Sequence, residues 1–185
     1  MDKILIVIDM QNDFIDGVLG SPEAVKICGN VAEKIANWDG NKIIYTLDTH
    51  INEIYPFSVE GQKIPLHCAM DSWGHNIHDL VLNALTNYLY DINHKAYDIE
   101  KDTFGSIDEL LACVEEVCPE NPFEIHICGL CTDICVISNA LILRAAFPQA
   151  HIIVDADCCA GTTPEQHQAA LNVMKACCIE VINEN

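Results

Sequence analysis

Short apolar runs alternate with amphipathic segments along the whole chain, and that alternation predicts an α/β fold. After its first residue, Lys3–Ile8 is apolar throughout, the pattern of a strand buried on both faces. Lys42–Leu47, Ala96–Ile99, Phe123–Cys128, Ala150–Asp155 and Ile179–Ile182 supply five further strands. Helices fall between them. Ser21-Pro22-Glu23 combines an N-cap, a proline at the first helical position and an acid in the first turn, and opens a helix to about Trp38. Ile77–Tyr90 and Asp133–Phe147 read as helices. Ser106-Ile107-Asp108-Glu109 is a capping box for a helix to about Cys118, and Thr163-Pro164-Glu165-Gln166 is another for a helix to about Ala176. Six strands alternating with helices imply a three-layer α/β/α architecture: a six-stranded, mostly parallel sheet with helices on both faces, joined by right-handed crossovers. The stretch from Asp48 to His75 lacks periodicity and holds several Pro and Gly, as expected of a functional loop.

Length and composition narrow the class. A chain of 185 residues, half of them hydrophobic, is expected to form a single domain spanning 1–185 with an ordered core. Nine basic residues against 28 acidic ones give a net charge of −19. That charge repels nucleic acid and anionic membranes, and it leaves a neutral or cationic small molecule as the expected partner. No secretory leader pattern is present, and no apolar run reaches the ~18 residues of a membrane span. The expectation is a soluble cytoplasmic protein whose 11 cysteines stay reduced and serve as packing, ligand or nucleophile.

Ligands of open parallel sheets bind beyond the carboxyl ends of the strands. There the sequence places Asp9, Asp48 with His50, Lys101 and the segment Gly129–Cys135: a carboxylate, a potential metal pair, an amine and a thiol-bearing turn. Cys135 stands where a strand turns into a helix. The helix N-terminus is expected to lower its pKa, and free backbone N–H groups of the turn can form an oxyanion hole. Simple packing is the alternative for an unpaired cysteine. Cys128 and Cys131 also form a C-x-x-C, which leaves a redox pair or half a zinc site open, although no second C-x-x-C follows at ribbon spacing.

Asp9-Met-Gln-Asn-Asp-Phe14, Lys101 and Gly-Leu-Cys-Thr-Asp-Ile-Cys135-Val resemble the isochorismatase-like cysteine hydrolases, in the family's order. Asp48-Thr-His50 and Pro65-Leu-His67-Cys68 are similar to the nicotinamidase branch in particular. The resemblance implies a catalytic triad of Asp9, Lys101 and Cys135, with an oxyanion hole from the backbone N–H groups of Cys131 and Cys135. It also implies a cis peptide at Leu130–Cys131. In that scheme Asp9 takes the thiol proton, passes it to the leaving ammonia and then activates water, while Lys101 keeps Asp9 ionised.

The same resemblance assigns one divalent ion to Asp48, His50 and His67, with Glu60 as the candidate fourth ligand. Alternation along an extended segment puts Asp48 and His50 on one side. The mixed donor set suits Zn²⁺ first, and Fe²⁺ or Mn²⁺ as alternatives. In nicotinamidases this ion receives the pyridine nitrogen. Those enzymes commonly hold the ring between the Phe of the first motif, here Phe14, and an aromatic residue three positions before the metal-binding His. That second position is Ile64, so some stacking, worth about 0.5–1.5 kcal/mol, is lost. Trp73 in the same loop is the candidate to compensate, with packing as its alternative. His75, His78, His94, His126, His151 and His167 are expected to have no special role.

Three readings follow. The first is hydrolysis of nicotinamide to nicotinate and ammonia, feeding NAD salvage and pyridine nucleotide biosynthesis. The second is a cysteine hydrolase of the same family acting on another amide, ureido or carbamoyl compound. The third is a non-catalytic metal-binding or redox-thiol protein. Isochorismatase itself is disfavoured, because those enzymes lack the cysteine that stands here as Cys135. The resemblance also carries the expectation of a homo-oligomer.

Overall fold

The computed structural model describes residues 2–119 and 123–184. Six strands, β1 (Lys3–Ile8), β2 (Lys42–Asp48), β3 (Lys95–Lys101), β4 (Glu124–Leu130), β5 (His151–Ala160) and β6 (Glu180–Ile182), form one sheet in the order β3-β2-β1-β4-β5-β6. Every neighbouring pair is parallel. Besides the short α1 (Asn12–Ile15), the helices are α2 (Pro22–Ala36), α3 (Asp79–Tyr88), α4 (Asp108–Val117), α5 (Ile137–Ala146) and α6 (Pro164–Ala176). α2 packs on α3 and α5 on α6. Right-handed crossovers put the first pair on one face of the sheet and the second pair on the other, because strand order runs outward in opposite directions from the centre. Ile4, Leu5, Ile6, Val7 and Ile8 are all buried, as their uninterrupted apolar run requires. Among the described residues, no helix is long and apolar enough to cross a membrane.

The centre of the sheet positions the site. Strand order reverses between β1 and β4, and beyond the carboxyl end of such a switch point lies a crevice. Gly129 lets the two strands meet there: its φ is +123°, and a Cβ would stand 2.1 Å from the carbonyl oxygen of Ile8. No side chain fits that approach.

Several elements differ from their sequence expectation for identifiable reasons. β5 continues through Asp155 and Asp157 instead of ending at the first acid. Asp155 is neutralised by Lys34 Nζ at 2.6 Å and bound by Asn183 Nδ2 at 2.9 Å, so a carboxylate is accommodated inside the strand. The pairing of β4 with β5 slips there, and Cys128 alone faces Asp155–Cys158. β3 is longer than its apolar stretch because it is an edge strand whose outward positions carry charge. The helix predicted from Asp133 begins as a π-helical turn, Thr132–Val136, before α5.

Candidate active site

Asp9, immediately after β1, adopts a left-handed backbone (φ 48°) that few side chains other than Asp and Asn tolerate. Thr46 of β2 holds it there. The Thr46 hydroxyl accepts from the Asp9 N–H at 3.1 Å and donates to Oδ1 at 2.5 Å. The second carboxylate oxygen, Oδ2, lies 2.7 Å from Lys101 Nζ at the end of β3. The same ammonium lies 3.2 Å from Asp48 Oδ1 and 3.8 Å from Cys135 Sγ. One lysine therefore joins two carboxylates and the thiol, and its three protons suit three partners.

All these groups are buried, Asp9 completely and Cys135 to 3 % exposure. Burial pushes the Asp9 carboxyl up, opposed by the Lys101 charge. For Lys101 burial works the other way and disfavours the ammonium, yet Asp9, the thiol and Asp48 together hold it above the usual lysine range. Desolvation lifts the Cys135 thiol well above the usual range, and Lys101 only partly offsets it. The sequence expectation of a depressed thiol pKa is thus corrected. Full burial beside two carboxylates outweighs the helix N-terminus and favours the protonated thiol. A thiol in that state needs a base, and Asp9 is the carboxylate that Lys101 joins to it, with Nζ 2.7 Å from Oδ2 and 3.8 Å from Sγ.

Cys135 lies in the π-helical turn, preceded by a cis peptide at Leu130–Cys131. Three contacts brace the turn. Asp133 accepts from the Thr162 N–H at 2.8 Å and from its hydroxyl at 2.5 Å. Thr132 Oγ1 and His167 Nδ1 are 2.7 Å apart. Asn139 Nδ2 donates to the Cys135 carbonyl at 2.8 Å and to that of Phe104 at 3.2 Å.

The second cluster adjoins the first through Asp48. Asp48 Oδ2 lies 3.0 Å from both His50 Nε2 and His67 Nε2, and Glu60 Oε1 lies 3.8 and 3.6 Å from the same two nitrogens. One donor atom from each of these four residues falls within 4.8 Å of the others. His67 Nδ1 is 2.9 Å from the Pro65 carbonyl, which can only accept, so Nδ1 carries a proton and Nε2 is the ring atom turned to the carboxylates, the nitrogen that would ligate an ion once it is free of its own proton. Two imidazole nitrogens and two carboxylates gathered this closely form a donor set that fits a borderline divalent ion. Asp48 is held well below the usual carboxylate range: desolvation opposes this, but the two histidines and Lys101 prevail.

A loop without helix or strand periodicity delivers Glu60 and His67, and side-chain bonds shape it. Gln11 donates to the carbonyls of Asp48 and His75 and accepts from the Asp48 N–H. Asp13 accepts from the N–H of Cys68 at 2.8 Å. The Tyr55 hydroxyl reaches Glu60 at 3.4 Å and His67 Nδ1 at 3.3 Å, and its ring packs on His50 with centroids 4.3 Å apart.

Between the two clusters opens a mainly apolar cavity of about 330 Å³, lined by Cys131 and Cys135 on one side and by Asp48, Glu60 and His67 on another. Phe14 and Ile64 line it as expected; Trp73 does not. The Trp73 side chain is exposed while its carbonyl accepts from Asn12, so this residue anchors the loop and leaves the cavity to others. Phe104, in the segment after Lys101, supplies an aromatic wall that sequence reasoning missed. Gln11, Asp13, Thr46, Tyr55 and Asn139 were missed too. Gln11 and Asp13 lie inside the Asp9–Phe14 motif, and a polar Thr46 in an apolar strand was a readable signal. His75 and His167, assigned no role, brace Thr49 and Thr132.

The sequence model of the Isochorismatase family, described as the isochorismatase domain, matches residues 3–185. The uncharacterized isochorismatase family protein PncA of Bacillus subtilis (strain 168) is 28 % identical, with 93 % of each chain covered. The crystal structure of nicotinamidase PncA from Bacillus subtilis superposes with a TM-score of 0.82 at 25 % identity, over 98 % of this chain and 99 % of that one. The pyrazinamidase of Pyrococcus horikoshii in complex with zinc superposes with a TM-score of 0.77 at 25 % identity over the whole of both chains.

Proposed function

The chain belongs to the isochorismatase family, and from that membership and the site geometry we propose that it is a cytoplasmic amidase hydrolysing nicotinamide to nicotinate and ammonia. The observation that carries the reading is the direct contact of Lys101 with Asp9, Asp48 and Cys135 at the junction of a thiol-bearing turn and a metal-ligand cluster. Relatives named nicotinamidase and pyrazinamidase support the substrate class.

In the proposed mechanism Asp9 accepts the Cys135 proton as sulfur attacks the carboxamide carbon. The N–H groups of Cys131 and Cys135 stabilise the oxyanion. Collapse breaks the carbon–nitrogen bond, and Asp9 returns the proton to the departing ammonia. A thioester remains on Cys135. Asp9, again ionised beside Lys101, deprotonates water, which cleaves the thioester to the carboxylic acid and restores the thiol. Lys101 keeps Asp9 a carboxylate at the start of each half-reaction, against the upward push of burial. Phe14, Ile64 and Phe104 line the cavity and exclude water from the ring. A divalent ion held by Asp48, His50, His67 and Glu60, Zn²⁺ foremost, would supply a Lewis-acidic position for a heteroaromatic nitrogen.

A second reading, another small amide, ureido or carbamoyl compound, draws support from Ile64 and from Lys63 at the cavity wall, both of which depart from a purely aromatic clamp. An ammonia-release panel separates the two. Nicotinamide and pyrazinamide should be turned over at least ~10-fold faster, as kcat/KM, than benzamide, ureides or carbamoyl compounds, about 1.4 kcal/mol of discrimination. Preference for any of the latter group transfers the assignment to the second reading.

A further inference from the structure

The four candidate ligands do not all face the substrate cavity. Asp48 and His67 line it, whereas His50 lines a second, larger recess of about 810 Å³ on the other side of the cluster. Glu60 is the one residue common to both linings, so the ligand set forms the partition between two openings.

The two openings differ in charge. The wall of the second recess carries the carboxylates of Glu60, Glu100, Asp102, Asp108 and Glu109. Lys101 is its sole basic side chain in the lining, and that ammonium is already committed to Asp9 and Asp48. The substrate cavity is mainly apolar, with Lys63 in its wall. A recess bearing one sign of charge focuses the field and concentrates counter-ions at its floor. The same lining includes two of the candidate ligands, Glu60 and His50, the latter an imidazole 4 % exposed whose Nε2 lies 3.0 Å from Asp48 and 3.8 Å from Glu60. A hydrated divalent cation drawn into the recess would thus meet metal-ligating atoms without passing Phe14, Ile64 or the thiol.

We propose that this carboxylate-lined groove is the route by which the divalent ion reaches and leaves its ligands, separate from the cavity that admits the substrate. The inference rests on the metal reading of Asp48, His50, Glu60 and His67, but not on which amide is hydrolysed. It assigns Glu100, Asp102, Asp108 and Glu109 a kinetic role in cation capture and no part in catalysis. Two separate doors also mean that an apolar ring in the substrate cavity need not block exchange of the ion.

Association of Co²⁺ with the chelator-stripped protein, followed by stopped-flow quenching of intrinsic fluorescence, tests the route. Neutralising the groove with Glu100→Gln, Asp102→Asn, Asp108→Asn and Glu109→Gln together should slow association at low ionic strength by ~10-fold or more and flatten its salt dependence. Lys63→Glu, which adds a carboxylate to the substrate cavity instead, should leave the rate within about twofold by the same steering argument. Unchanged association in the groove variant, or a marked acceleration in Lys63→Glu, overturns the proposal. His50→Ala serves as the arm that separates the two levels of inference. Quenching that persists in it at unchanged affinity shows that the ion binds elsewhere, which overturns the metal reading and the route with it. Loss of quenching in His50→Ala with normal rates in the groove variant leaves the metal reading standing and sinks the route alone.

Discussion

The chain brings an aspartate, a lysine and a cysteine together in two places. At the carboxyl end of the sheet, Lys101 Nζ lies 2.7 Å from Asp9 and 3.8 Å from the Cys135 sulfur. On the side of the sheet covered by α2, Lys34 Nζ lies 2.6 Å from Asp155, whose charge acts on the nearby Cys158 thiol. Both thiols are raised by desolvation first, Cys158 to about 12 and Cys135 well above the usual value. Thiol acidity therefore does not distinguish them. Placement does. Cys135 stands in a turn that opens a helix and lines a cavity, while Cys158 sits within β5, and none of Lys34, Asp155 or Cys158 lines either of the two cavities described. The same three residue types make a candidate catalytic centre where strand ends leave room for a substrate, and a structural knot where a strand slips its register.

The sharpest way to break this contrast is to remove each sulfur. Cys135→Ala should lower amide turnover by at least ~10⁴-fold, the scale of losing a nucleophile that works with its base. Cys158→Ala should keep kcat/KM within about threefold, as expected for a group with no transition-state contact. Ammonia release measures both, and mass spectrometry after brief exposure to substrate should find the acyl adduct on Cys135. Comparable losses in the two variants would erase the distinction drawn here.

The two aspartates extend the comparison from rate to stability. Asp9→Asn removes the proposed base and should cost ~10²–10⁴-fold in kcat. It should affect folding little, because Lys101 retains Asp48 at 3.2 Å. Asp155→Asn should do the reverse. It leaves Lys34, whose side chain is 15 % exposed, without its anion, and should lower unfolding stability by about 1–3 kcal/mol, less than for a fully buried pair because some water reaches the ammonium. Urea unfolding monitored beside steady-state kinetics gives the two-by-two result, and a kinetic defect in Asp155→Asn as large as that in Asp9→Asn would contradict it.

Metal removal probes the substrate side of the site. Chelation should reduce kcat/KM for nicotinamide by at least ~10-fold through lost orientation, while alkylation of Cys135 by iodoacetamide proceeds at its former rate. Normal nicotinamide hydrolysis by the stripped protein would detach the Asp48–His50–His67 cluster from substrate recognition.

How far these arrangements were legible from sequence follows the same division between strand ends and elsewhere. Asp9, Lys101 and Cys135 were readable because parallel strands point their carboxyl ends to one edge, and a residue just past an apolar run must arrive there. His50 and Asp48 shared that advantage at the end of β2. Glu60 and His67 did not: their segment has no periodicity, and its path depends on bonds from Gln11, Asp13 and Tyr55 that span up to 64 positions. Only the family resemblance reached them. Trp73 shows the limit, since proximity in sequence to the ligands says nothing of which way a loop side chain turns. The Lys34–Asp155–Cys158 knot escaped altogether, because an aspartate after an apolar run reads as the end of a strand unless its counter-ion, 121 positions away, is known.

That counter-ion gives the smallest and most specific expectation. Desolvation would lower the Lys34 pKa, but its hydrogen bond and charge interaction with Asp155 outweigh the burial, so in the folded protein it is raised above its ordinary value. A raised folded pKa means that the native state holds the proton more tightly than the unfolded chain. The stabilisation is fully present below the unfolded value of about 10.4 and disappears as pH rises through the higher folded one. Between pH 7 and 9 the pair should therefore contribute a constant amount, and above pH ~10.4 the contribution should decline. Tyrosines and other lysines titrate in the same range, so the informative quantity is the difference between the native protein and Lys34→Met, measured by urea unfolding at each pH. That difference should be flat up to about pH 10 and shrink beyond it. A difference that instead grew with alkaline pH would mean that Lys34 loses its proton more readily when folded, and that burial, not Asp155, governs the knot.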